Sequence, residues 1–282
     1  MAFERFELML PRNAFTPRDA ARAGDVWRTC QDAAVWGSSR RGWSPKRFRE
    51  EKFGFIVRRM VVVHHRELAF GDPVAVETWV STFLRGMITN REIRLTVGGQ
   101  PAVSATQEWV FVVVEGANVS PMRAPATITA AFGTHDGVGL EPLSPVVEPG
   151  ADGTWRDFAF DAWHAWMDPL AHANHPLYVD WCDEALARIF SAAGLDPYAV
   201  APVSEEVVFK SGVIAPERVT VRTACVGVDA AGDAVFVQRV LGGDGRLCAS
   251  ATLRRRVVGG DGAALVAAFR ADVPGRESTR VD

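Results

Sequence analysis

The sequence predicts an α+β fold assembled from two similar units, and three observations carry that prediction. Runs of alternating apolar and polar residues read as half-buried antiparallel strands. Two longer stretches carry an apolar or small-residue face at helical spacing. The order strand, helix, four strands occurs once before and once after a Gly- and Pro-rich stretch at residues 133–155. The units agree in this order rather than in their residues.

In the first unit, Phe3–Met9 reads as a strand ended by Pro11. Thr16-Pro17 opens a helix predicted to run to about Gly37, with Val26, Cys30, Ala33, Ala34 and Gly37 as a small-residue face suited to close packing on a sheet. Phe53–Val63, Val74–Thr82, Met87–Thr96 and Ala102–Val114 are strands, with turns at Gly71-Asp72-Pro73 and Gly98-Gly99. In the second unit, Phe158–Trp166 reads as a strand and Pro176–Ala193 as a helix stopped by Gly194. Glu205–Lys210, Arg218–Val228, Ala234–Leu241 and Leu247–Val258 follow as strands joined by Gly-Asp turns. The units thus span 1–132 and 156–258, with 133–155 as a linker crossing the body of the protein. Residues 259–282 form a tail in which Ala263–Phe269 can make a short helix.

The bulk composition excludes several classes. With 48% hydrophobic and 23% charged residues over 282 positions, the chain can bury a sizeable core. No apolar run approaches the ~20 residues of a membrane helix, and the N-terminus lacks a signal-peptide pattern, so no membrane partner and a cytoplasmic location are expected. Cys30, Cys182, Cys225 and Cys248 lie far apart, which speaks against a metal site or a disulfide framework; neither a metal nor a cofactor is expected. Residues 1–130 carry 18 Lys and Arg against 13 Asp and Glu, the remainder 13 against 21. Much of the first excess falls between Arg40 and Arg59, most simply a solvated face, or else a surface for an acidic partner. A mildly acidic chain without a binding motif is not a nucleic-acid protein.

The chemistry-bearing residues concentrate between Asp168 and Ala185. Pro169 ends any ladder, and Pro176 sits where the first residue of a helix is favoured, after Asn174 or His175 as cap. Asp168, His172, Asn174 and His175 therefore crowd the positive end of a helix, where free backbone N–H groups can polarise a carbonyl. Each has an ordinary structural use as well, as cap or turn residue. Elsewhere His64 and His65 alternate onto opposite faces of a strand and cannot share a metal.

Two motifs in this stretch resemble known enzymes. Asp168-Pro, then Pro176-x-Tyr178-x-x-Trp181-x-Asp183-x-Ala185, is similar to the active-site segment of the 4-hydroxybenzoyl-CoA thioesterase family. Asp168-x-x-x-His172-x-Asn174-x-x-x-Tyr178-x-x-Trp181 resembles the matching segment of acyl-acyl-carrier-protein (acyl-ACP) thioesterases. Gln31-Asp-Ala-Ala, Val76-Glu-Thr78-Trp79, Arg91 and Gln107-Glu-Trp109 extend the second resemblance through the first half. It implies a double hotdog, two repeats each with a long central helix wrapped by an antiparallel sheet, alone or as a homodimer. It further implies hydrolysis of an acyl thioester of coenzyme A or ACP. Asp168 would be nucleophile or general base, with His172 and Asn174 ordering the loop or positioning water. The backbone N–H near His175 would hold the oxyanion. Tyr178 and Trp79 would contact substrate, Tyr178 also packing between helix and sheet.

The sequence departs from the plant acyl-ACP enzymes at two points. Leu170 stands where they have an Asn, and Ser211 or Gly212 where they have a Glu; Glu205 and Glu206 lie nearby but do not replace it. Chemistry centred on Asp168 therefore fits best. Phe15-Thr-Pro-Arg-Asp-Ala-Ala offers no second Asp and His, so one active site per chain is expected, the first repeat walling the acyl pocket. The rivals are a hotdog hydratase or dehydratase, whose D-x-N-P-x-H pattern is absent, and a non-catalytic acyl-thioester-binding protein.

Overall fold

In the computed structural model, residues 3–116, 118–135, 139–143, 154–258 and 262–270 are described. The alternating segments form strands β1 (Glu4–Leu8), β2 (Phe53–His64), β3 (Val74–Leu84), β4 (Ile88–Val97), β5 (Gln100–Glu115) and β6 (Asn118–Pro121). After them come β7 (Arg156–Asp161), β8 (Val200–Phe209), β9 (Arg218–Val228), β10 (Ala234–Leu241) and β11 (Leu247–Val257). All pair antiparallel in one sheet of order β1-β3-β4-β5-β2-β8-β11-β10-β9-β7, with β6 on β5. Outward from β2 the neighbours are β5, β4, β3 and β1; outward from β8 they are β11, β10, β9 and β7.

The main helices α1 (Ala23–Arg40) and α4 (Leu177–Ala192) lie on the same face of this sheet and touch each other. Their contact is close because Gly24 has no Cβ: one built there would overlap the Asp180 carboxylate, which is paired with Arg28. Trp27, Cys30 and Ala33 of α1, with Val179, Cys182 and Leu186 of α4, are buried in a core shared with the inward residues of β2, β4, β8 and β11. A smaller core gathers Trp43, Val80, Phe111, Ile128 and Phe132. Around it stand α2 (Pro45–Glu50) and α3 (Ala126–Phe132).

The differences from the sequence reading are local. The first helix begins at Ala23 instead of Thr16, because Thr16-Pro17 caps a turn rather than a helix: the Asp19 N–H returns to the Thr16 carbonyl. Phe158–Trp166 is a strand only to Asp161; His164–Trp166 turns as a 3-10 segment, with Trp163 exposed and stacked on Trp166 at 4.9 Å. Pro176 is the cap of α4 and Leu177 its first residue. Among the linker residues, 139–143 do cross the sheet: Leu140 N–H donates to Thr106 and Leu143 N–H to Glu206, both on the face away from the helices. Residues 136–138 and 144–153 of the linker, and 259–261 and 271–282 of the tail, lie outside the described residues. The tail's short helix is α5 (Gly262–Arg270).

Among the described residues, no helix is long and apolar enough to cross a membrane. Among the described residues no disulfide forms; Cys30, Cys182 and Cys248 are buried.

Candidate active site

The loop before α4 is a tight turn that presents its acid. Asp168 N–H donates to the His172 carbonyl and Ala171 N–H to the Asp168 carbonyl, closing the turn with Ala171 at φ 60°. Leu170 N–H donates to Asp168 Oδ1 at 2.7 Å, fixing the carboxylate. Its other oxygen lies 3.5 Å from His172 Nδ1. Both side chains are partly exposed, so this acid and imidazole are open to reactants. Gly212 makes room for the ring, since a Cβ there would stand 3.1 Å from His172 Cβ.

The same loop leaves one backbone donor free. Ala173 N–H is taken by Val213 and Asn174 N–H by Trp166, while among the described residues the His175 N–H has no acceptor. It precedes the first turn of α4, where the helix dipole favours negative charge. The His175 ring sits among Trp27, Trp109 and Phe209, with centroids 6.3, 6.3 and 5.9 Å away, and its Nε2 is buried without a partner among the described residues. Burial, reinforced by nearby His172, pushes its pKa down to about 3, so the ring is neutral.

That shift gives a stability prediction. An imidazole that stays neutral when folded but takes a proton when unfolded withdraws stability as pH falls from about 6.5 towards 3. Asp180, raised to about 6 by burial against the pull of Arg28, acts in the opposite sense below pH 6. The check is therefore a comparison of proteins. The melting temperature of His175→Gln should fall less between pH 7 and pH 4.5 than that of the wild type, and equal slopes would refute the neutral buried ring.

Asn174 does not face the reactants alone. Its amide pairs head to head with Gln31 of α1, at 2.7 and 2.9 Å, so the first half of the chain holds the loop of the second. Tyr178 is buried, its hydroxyl accepting the Val213 N–H at 3.1 Å, and it also lines the cleft. Trp79 is not brought to the site: it packs on Phe3 and under Arg94, while its neighbour Val80 faces the cleft.

Asp168, His172, His175 and Ser211 stand at one end of a cleft of about 590 Å³, within the size range of small-molecule sites. Its walls are mostly apolar and come largely from the first half: α1, α2, β2 and β5 supply Val35, Phe48, Phe55 and Trp109 among others. The sequence gives no warning of α2 beyond Ser44-Pro45, whose hydroxyl caps the Arg47 N–H. The basic stretch from Arg40 to Arg59 is largely neutralised: Arg41 pairs with Glu4, Arg47 with Glu51, Arg58 with Glu108 and Arg59 with Glu206. Arg49, Arg58 and Lys210 nevertheless line the cleft.

The corresponding turn before α1 repeats the backbone without the chemistry. Thr16 N–H donates to the Ala20 carbonyl, Asp19 N–H to the Thr16 carbonyl, and Asp19 has φ 56°. Thr16 and Ala20 therefore occupy the places of Asp168 and His172. Arg18 closes this side by pairing with Glu67 and donating to the Tyr198 carbonyl. Close by in the core, Glu205 is wholly buried and binds His64, Trp27 and Arg255 at 2.8, 3.2 and 2.6 Å; Arg255 also binds Asp183. Burial alone would raise the Glu205 pKa, but His64 and Arg255 more than offset it and hold it at about 2.

Solved structures of similar fold include a Lactobacillus plantarum protein described as an oleoyl thioesterase, with TM-score 0.77 and 15% identity over 92% of this chain and 98% of that one. An acyl-ACP thioesterase from Bacteroides thetaiotaomicron gives TM-score 0.71 and 11% identity, over 90% and 98%. The 12:0-ACP thioesterase from Umbellularia californica gives 0.73 and 17%, over 90% and 94%. Residues 162–273 match the family model described as thioesterase-like superfamily. No curated protein matches the sequence. The resemblance read from Asp168–Trp181 is thus the one these comparisons return.

Proposed function

We propose that this protein is a thioesterase that hydrolyses an acyl thioester of coenzyme A or ACP to the free acid and the thiol. The observation that carries the reading is the placement of the partly exposed Asp168 carboxylate and the free His175 N–H together at the mouth of the apolar cleft. The thioester carbonyl oxygen would rest on that N–H, with the acyl chain running down the cleft. Asp168 would take a proton from water as it adds to the carbonyl carbon, or would add itself and be released by water from the mixed anhydride. Either way the oxyanion collapses, the C–S bond breaks and the thiolate leaves with a proton. His172 steadies the carboxylate, and Asn174 with Gln31 fixes the loop.

The order of strands and the repeated turn before α1 and α4 support a double hotdog of repeats 1–132 and 156–258, joined by 133–155 and ending in a tail at 259–282. The chain would hold one active site and stand alone or form a homodimer. Thiol release from a panel of acyl-CoA and acyl-ACP thioesters tests the function. Steady turnover supports it; hydration of an enoyl thioester without thiol release would replace it with the hydratase reading, and binding without either with a carrier.

A further inference from the structure

The apolar cleft ends against a cation. Gln31, Val35 and Ser38 line it along one stripe of α1, and the seven helical steps from Gln31 to Ser38 span about 10 Å of helix axis. Gln31 marks the reactive end through its pair with Asn174. At the other end Ser38 Oγ accepts from Arg91 Nη2 at 3.2 Å, and Arg91 Nη1 reaches Thr78 Oγ1 at 3.5 Å.

Arg91, on β4, lines the cleft and is only 7% exposed. Among the described residues no carboxylate stands within ion-pair distance of it; the nearby acid Glu4 is engaged by Arg41 at 2.8 Å. The position is built for the guanidinium. Gly37 leaves it room, since a Cβ there would stand 2.9 Å from Nη1, and Phe132 lies 5.5 Å beneath it. Burial and Arg41 pull its pKa down to about 10, still charged at neutral pH. A guanidinium has five donors, and two hydroxyls satisfy few of them. A desolvated cation facing an apolar cleft with no carboxylate in ion-pair contact, and only the shared charge of Glu4 nearby, is costly unless a ligand supplies a counter-charge.

We propose that Arg91, held in place by Thr78, forms with Ser38 a distal subsite for a carboxylate, so that the preferred acyl group is a carboxyacyl chain: the mono-thioester of a dicarboxylic acid. This rests on the thioesterase reading for the end at which the thioester lies. An extended chain advances about 1.3 Å per carbon, so the 10 Å between the ends corresponds to about eight carbons.

The test compares kcat/KM for 9-carboxynonanoyl-CoA and decanoyl-CoA, which have the same length. The wild type should favour the carboxyacyl thioester by about tenfold or more, Arg91→Met should reverse the preference, and Arg91→Lys and Ser38→Ala should reduce it in part. Calorimetric binding of free decanedioate and decanoate should give the same order without any reaction. If decanedioate binds in an Arg91-dependent way but no thioester turns over, the subsite stands and the hydrolase reading fails. A wild type that prefers the plain chain, or a ratio that Ser38→Ala and Arg91→Lys leave unmoved, overturns the subsite, and circular dichroism shows whether Arg91→Met has folded.

Discussion

Asp168→Asn should lower kcat for thiol release by at least about a thousandfold while leaving the affinity for a non-hydrolysable thioether analogue within about threefold. The substitution keeps the side chain's size and its bond from the Leu170 N–H, but removes the base or nucleophile on which the mechanism depends. A loss of this order corresponds to about 4 kcal/mol of transition-state stabilisation. A variant that retained most of its turnover would remove Asp168 from the chemistry. One that also lost the analogue would show that Asp168 shapes the loop rather than reacts.

Glu205→Gln should cost roughly 3 kcal/mol, the order found when one partner of a buried ion pair is removed. Glu205 is wholly buried, and Arg255 would be left with Asp183 alone while His64 and Trp27 lost a carboxylate partner. For a chain of this size that amounts to a fall in melting temperature of roughly 6–12 °C. The carboxylate held at about 2 stabilises the fold fully above pH 4.5 and withdraws that support as pH falls towards 2, so the penalty should shrink in acid. Turnover per folded molecule should not change, because Glu205 is outside the cleft lining. A drop in kcat without a drop in stability would make it the missing acid of the acyl-ACP enzymes after all.

Much of this arrangement was legible in the sequence where the signal is local. Alternation located β9 and β10 residue for residue, and the Asp168–Pro176 loop could be found because its proline, acid and imidazoles lie within nine positions. The same local reasoning failed at Thr16-Pro17, whose hydroxyl–proline pair serves a turn as well as it would a helix. Helices of six and seven residues, α2 and α3, are too short to show a period. The family resemblance places Trp79 at the substrate, but a motif match does not say which face of its strand meets the cleft; its neighbour Val80 does. The partnerships of Asn174 with Gln31, of Glu205 with His64 and Arg255, and of Arg91 with Ser38 join residues far apart in the chain, and only the folded sheet brings them together.

The most direct test is a crystal structure with a non-hydrolysable ketone analogue of an acyl-CoA, in which a methylene replaces the thioester sulfur. The carbonyl oxygen should accept the His175 N–H at about 3 Å, the carbonyl carbon should face Asp168, and the acyl chain should run past Val35 towards Arg91. A chain lying outside the cleft, or a carbonyl turned away from Asp168 and the start of α4, would contradict the account.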